Sequence, residues 1–209
     1  MDESAWSGAD SVLDATGNDR HASPVNGASP DDATPLARGG NPGTCGYGTF
    51  NGIDQQVDDP DAGSSYLNGL SAVTVSAWVY NTADLSDNNR GIFLTDEPQQ
   101  ANGSFKDFRL GLRYDVQGFE RAQEGANSDN VIKASVHTTA CDDSEDCVQV
   151  ETEPNVMVQN QWQHVAMTWE SGGDLRVYVD GNDVTDKGTG DLGQGTGGTL
   201  DAINGLRIG

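Results

Sequence analysis

The chain has 209 residues, and 33 Asp and Glu against 11 Lys and Arg give a formal net charge of −22. So acidic a chain excludes nucleic acid and direct insertion into anionic membranes, since both need basic patches that these few cations, spread along the sequence, do not make. The length suits one all-β domain, and no run of about twenty apolar residues supplies a spanning helix. Hydrophobic content is low at 34%, with the excess in Gly, Asn, Asp and Ser, so the polarity belongs to loops.

In chain order, the first forty-odd residues are turn-rich and read as a long loop with short extended pieces. Gly46 to Val57 reads as a strand with a glycine kink. Ser71 to Tyr80 is the clearest strand, with Val73, Val75, Ala77 and Val79 on one face and Trp78 and Tyr80 on the other. Large apolar groups on both faces predict a central strand. Shorter strands are predicted at 91–95, 107–114, 131–138, 148–150 and 206–208.

The strongest pattern is a hairpin. Val165, Met167 and Trp169 alternate with His164, Ala166 and Thr168, and Leu175, Val177 and Val179 alternate with Arg176 and Tyr178. Ser171-Gly-Gly-Asp174 supplies the turn, and Asp180-Gly181 opens another. No segment has useful helical periodicity. The fold class is therefore all-β, an antiparallel sandwich that buries Val75, Trp78, Val165, Met167, Trp169 and Val177.

The hairpin wording, Trp162-x-His164-Val-Ala-x-Thr168 followed by Leu175-x-Val-Tyr-Val-Asp-Gly181, resembles the laminin G-like, concanavalin A-like (jelly-roll) sandwich domains of extracellular proteins. Val12-Leu-Asp14-Ala-Thr-Gly17-Asn18, Gly43 to Gly52, Leu70 to Trp78 and Leu206-Arg-Ile-Gly209 occur in the order that family shows. Cys45-Gly-Tyr-Gly-x-Phe50 with the acidic Trp6 opening looks most like the bacterial subset in mannose-sensitive haemagglutinin pilus biogenesis proteins and large surface adhesins. The resemblance implies one domain over 1–209, lacking terminal strands at both ends. It also implies a non-catalytic module, extracellular or at the cell surface within a larger multidomain surface protein, recognising a glycan or a cell-surface protein. A structural spacer or assembly module is the alternative, and a carbohydrate-active enzyme comes third.

Catalytic patterns are weak. No Glu-x-Asp-x-x-Glu spacing is present; Glu151 and Glu153 share a strand face, but Pro154 follows at once and marks a solvated strand end. No Gly-x-Ser-x-Gly elbow occurs. His164 reads as a strand histidine satisfied by a hydrogen bond. Gly188-x-Gly190-x-x-Gly193 matches dinucleotide-binding spacing by coincidence, since no helix follows.

Calcium is the cofactor that the acidic loops suit, because Asp and Asn oxygens are its ligands. The metal candidates are Asp54, Asp58, Asp59 and Asp61, with the 84–89 bend and the 142–146 loop as further carboxylate clusters. Solvated surface acids are the competing reading. Trp6, Tyr47, Tyr66 and Phe119 lie in or near loops, as sugar-stacking groups or as anchors of those loops; the ligand-binding candidates are Tyr66, Asp96 and Asn102. Given the extracellular resemblance, Cys141 and Cys147, six residues apart, are expected to form a disulfide rather than free thiols, leaving Cys45 unpaired or paired outside this chain.

Overall fold

The computed structural model describes residues 3–31, 46–82, 90–95, 109–115, 130–141, 148–186, 197–201 and 205–209. Its strands are β1 (Ser23–Val25), β2 (Ser29–Asp31), β3 (Tyr47–Thr49), β4 (Gln56–Asp59), β5 (Ala72–Tyr80), β6 (Arg90–Thr95) and β7 (Leu110–Asp115). They continue as β8 (Val131–Val136), β9 (Val148–Thr152), β10 (Trp162–Glu170), β11 (Arg176–Val179), β12 (Asn182–Asp183), β13 (Thr185–Asp186) and β14 (Leu206–Ile208). The helix among the described residues is one π-type turn, Gly63–Leu67.

The strands form a wide sheet, β1-β4-β14-β6-β7-β8-β9-β13, a narrow sheet, β12-β11-β10-β5, and a two-stranded piece, β2-β3. Every pairing within them is antiparallel. The two large sheets pack face to face, β11 over β8 and β9, and β5 over β6. Period-two alternation decides which side chains meet: Leu110, Leu112, Ile132, Ala134, Val148 and Val150 from the wide sheet close on Val75, Val165, Met167, Trp169, Val177 and Val179 from the narrow one.

Five of the six core residues expected from sequence are buried, and Trp78 is not: 37% of it is exposed. The cause is topological. Among the described residues, β5 is the edge strand of the narrow sheet and β10 lies inside it, so the central position expected for 71–80 belongs to 162–170. In β5 the even residues face away from the core, and among the described residues no second layer covers Trp78.

The turn-rich N-terminus is more ordered than a loop. Val12 and Ala22 exchange backbone hydrogen bonds of 3.0 and 2.9 Å, closing a small hairpin ahead of β1. Within it Asp14 acts as a hub: its Oδ1 accepts from the Thr16 N–H (2.7 Å) and hydroxyl (2.6 Å), and its Oδ2 from the backbones of Asn18 (3.1 Å) and Arg20 (3.2 Å). The predicted 46–57 strand divides into β3 and β4 because the Asn51 carbonyl gathers the N–H groups of Ile53, Asp54 and Gln55, a side-chain turn that breaks the extended run.

Candidate recognition face

The outward side of the narrow sheet carries an aromatic platform built by strand register. Trp78 on β5 lies opposite His164 on β10, and the next row holds Ser76, Ala166 on β10, Tyr178 on β11 and Asp183 on β12. The Trp78 and His164 rings meet edge to face at 5.3 Å and 63°. Small neighbours at Ser76 and Ala166 keep the surface low between Trp78 and Tyr178. With strands about 4.8 Å apart and a rise of about 3.4 Å per residue, the two aromatics stand on the order of 12 Å apart at their Cα atoms.

Two structures bound this platform. At one end Trp162 is buried beneath Tyr47 of β3 and Tyr80 of β5, with ring centroids 5.5 and 5.4 Å away. At the other side stands the Asp180-Gly181 turn between β11 and β12, where both residues have positive φ, 49° and 80°, as a two-residue hairpin turn of the primed kind requires. Asp180 also fixes β10: its Oδ1 accepts from the His164 N–H at 2.9 Å, while its own N–H donates to the His164 carbonyl at 2.8 Å. The histidine that the sequence marks as hydrogen-bonded is thus held through its backbone, and its ring is left for Trp78.

Charge lies at the rim. Arg176 donates to Asp183 at 2.7 Å and approaches Asp174 at 3.3 Å. Partial burial opposes ionisation of Asp183, but hydrogen bonds from Thr185 and the Arg176 guanidinium outweigh it and hold the carboxyl below its ordinary value.

The residues singled out from sequence lie elsewhere. Tyr66 is half-buried: its hydroxyl donates to Asp59 Oδ2 at 2.6 Å, and the Arg20 guanidinium sits over its ring at 4.1 Å. Burial first, and the bond to Asp59 next, push its hydroxyl's ionisation well above the ordinary tyrosine range. Asp96 and Asn102 lie outside the described residues, as do Phe119, the 84–89 and 142–146 loops and the 188–193 glycines.

The four carboxylates of the 54–61 stretch are not gathered. Asp58 and Asp59 are neighbours on β4 and project to opposite faces, Asp58 opposite Arg207 and Asp59 buried toward Tyr66. Asp59 Oδ1 accepts from the Asp61 N–H at 3.1 Å, and Asp54 Oδ1 accepts from the Asn51 amide at 2.8 Å. Among the described residues no three His, Cys, Asp or Glu side chains are placed to hold a metal ion. This stretch does not fit calcium, because hydrogen bonds and strand alternation direct its oxygens apart. Cys141 Sγ lies 3.1 Å from the Thr138 hydroxyl, whereas Cys45 and Cys147 are outside the described residues.

On the side of the wide sheet turned away from the narrow one, Arg113, Lys133, Glu151 and Asp186 form one cross-strand row in which Lys133 and Glu151 are buried. Lys133 Nζ donates to Asp115 Oδ2 at 2.6 Å, with both residues buried. Lys133, on the strand between them, separates the acids Asp115 and Glu151.

The alternation that produces the aromatic platform is legible in the sequence, since Trp78 and Tyr178 each fall out of phase with their valine neighbours. What the pattern lacks is which strand ends the sheet, and so whether that phase meets solvent. A search of curated proteins returns no match. The laminin G-type family model of the concanavalin A-like lectin/glucanases superfamily matches residues 46–205, from just before β3 to just before β14 and including the platform strands β5, β10, β11 and β12. With the two packed antiparallel sheets, that match shows that the chain belongs to the concanavalin A-like lectin/glucanases superfamily.

Proposed function

We propose that this domain is a non-catalytic binding module that takes up a glycan on the outward face of the narrow sheet. Trp78 stacks on a sugar face, Tyr178 supplies a second aromatic contact, and the Asp180 turn and the Arg176 and Asp183 pair border the site. The observation that carries this reading is the exposure of Trp78 beside His164, on a strand face whose other side chains, Ala72, Thr74, Ser76 and Tyr80, are uncharged. A flat apolar ring with polar groups at its margin suits a sugar, whose faces are apolar and whose edge is hydroxyl-rich.

The test is a glycan array probed with the parent protein and with Trp78→Ala, each in Ca²⁺ and in chelator. Loss of at least tenfold in affinity on truncating Trp78, about 1.4 kcal/mol, with an unchanged β-sheet circular dichroism spectrum, supports the site. Undiminished glycan binding by Trp78→Ala removes it.

The setting that fits this reading is the cell surface or the extracellular space, as part of a larger protein. There a Cys141 to Cys147 disulfide persists and, by closing a short loop, stabilises the fold by about 2 kcal/mol. Peptide mapping without reductant tests it: a fragment joining the two cysteines is expected, and alkylation of Cys141 in the unreduced protein would argue for free thiols.

A further inference from the structure

We infer that Lys133 and Asp115 are the two halves of a self-formed covalent cross-link, an amide bond between their side chains that ties β8 to β7, with Glu151 of β9 carrying the proton. These residues lie on the wide sheet, apart from the glycan platform. The two groups are in contact: Lys133 Nζ donates to Asp115 Oδ2 at 2.6 Å, and their side chains are 8% and 7% exposed. Glu151, also buried, stands directly opposite Lys133 in the β8 and β9 register. A buried amine, the carboxyl it touches and a second carboxylate beside it are the components of an amide condensation.

Sheet register sets the spacing. Arg113 is opposite Lys133 and Val131 is opposite Asp115, so Lys133 and Asp115 are diagonal neighbours on one face. Such neighbours stand about 7–8 Å apart, a span that a lysine stem joined to an aspartate carbonyl carbon covers. Glu151 lies on the other side of Lys133, and directly opposite residues have Cβ atoms about 5 Å apart, close enough for its carboxylate to reach the amine.

Charge favours the linked form. A buried ion pair stabilises a fold poorly, because both partners lose their hydration. Arg113, Lys133, Glu151 and the diagonal Asp115 make two cations and two anions. An amide between Lys133 and Asp115 removes one of each and leaves Arg113 to balance Glu151, so two buried charges vanish and neutrality holds.

The reaction balances with no oxidant or cofactor. A proton passes along the hydrogen bond from Nζ to Oδ2, giving an amine and a carboxylic acid, an exchange that lost hydration makes accessible. The amine lone pair attacks Asp115 Cγ and the C–N bond forms. Glu151 takes a proton from Nζ and returns it to the departing hydroxyl. The Cγ–O bond breaks, one water molecule leaves, and Nζ keeps the single hydrogen of a secondary amide. Contact within the fold supplies the effective concentration that such a condensation lacks in free solution.

The experiment is mass spectrometry of the purified, folded protein after disulfide reduction. The intact mass is expected to fall one water molecule short of the sequence mass. Trypsin acting on the unfolded chain should then fail to cut after Lys133 and should release a branched peptide joining 114–121 to 122–176. Glu151→Gln, with an unchanged circular dichroism spectrum, should keep the full sequence mass and be cut after Lys133, and Asp115→Ala should behave likewise. A parent protein of full sequence mass that is cut after Lys133 overturns the proposal, and this measurement decides alone should either variant fail to fold. A missing water that persists in Asp115→Ala also overturns it, since the loss then lies elsewhere, as in a succinimide at Asp180-Gly181. A cross-link that forms undiminished in Glu151→Gln would remove Glu151 as the proton carrier.

Discussion

The Tyr66 hydroxyl donates to Asp59 Oδ2 at 2.6 Å, joining the π turn to the inward face of β4 while Arg20 from the N-terminal hairpin covers the ring. Two neighbouring segments and the distant N-terminal hairpin thus meet on one phenol. Tyr66→Phe leaves the buried Asp59 oxygen without this donor and is expected to cost about 1–3 kcal/mol in urea unfolding. Glycan affinity should not change, because Tyr66 lies away from the platform. A loss of affinity with unchanged stability would return Tyr66 to the ligand-binding set.

Asp14 gives a pH signature. Its carboxyl is lowered from 3.8 to about 2, first by the Thr16 hydroxyl and then by backbone donors. A depressed carboxyl contributes stability that is present above its unfolded value and lost as the pH falls through its folded one. The 12–22 hairpin should therefore hold at pH 4 and loosen toward about pH 2. Amide shifts of Thr16, Asn18 and Arg20 are expected to move together with a midpoint near 2 and to lose that transition in Asp14→Asn; a midpoint near 3.8 would mean the carboxylate is not held.

The two sides of β5 and β10 should respond unequally to truncation. Met167 is fully buried, and Met167→Ala is expected to cost about 2–5 kcal/mol. Trp78→Ala removes a larger side chain, but one that is 37% exposed and meets His164 edge to face, and should cost about 1 kcal/mol or less. Equal losses in thermal unfolding would show that Trp78 is packed in solution.

Calcium should act, if it raises the melting temperature at all, through residues outside the 54–61 stretch. Asp58→Asn is expected to leave any difference between Ca²⁺ and chelator unchanged, and Asp59→Asn to lower the melting temperature equally in both. A Ca²⁺ shift abolished by Asp58→Asn would mean that these carboxylates converge on the ion after all.

The all-β class and most strand positions were readable because period-two alternation is a local property: Val165, Met167 and Trp169 face the core as their spacing requires. Position within a sheet is not local. Ser71 to Tyr80 has apolar groups on both faces, which a central strand would bury, yet sheet order among the described residues places it at an edge and leaves Trp78 37% exposed. The acidic stretch shows a related effect. Asp58 and Asp59 are adjacent in sequence, and for that reason the pleat of β4 separates them. Nor could composition indicate that the Asp59 oxygens meet Tyr66 and the Asp61 backbone.

The placement of β10 between β11 and β5 also imposes an order in time. Its even residues bond β11 across a short turn, and its odd residues bond β5, which lies far earlier in the chain. Closing the small loop takes microseconds, whereas bringing in β5 requires a much larger loss of chain entropy. The 162–179 hairpin should therefore form first during refolding, with pulse-labelled amides of Ala166 and Thr168 protected before those of Val165 and Met167. The domain would then pass through a state in which β10 itself presents a bare edge, and the arrival of β5 closes it.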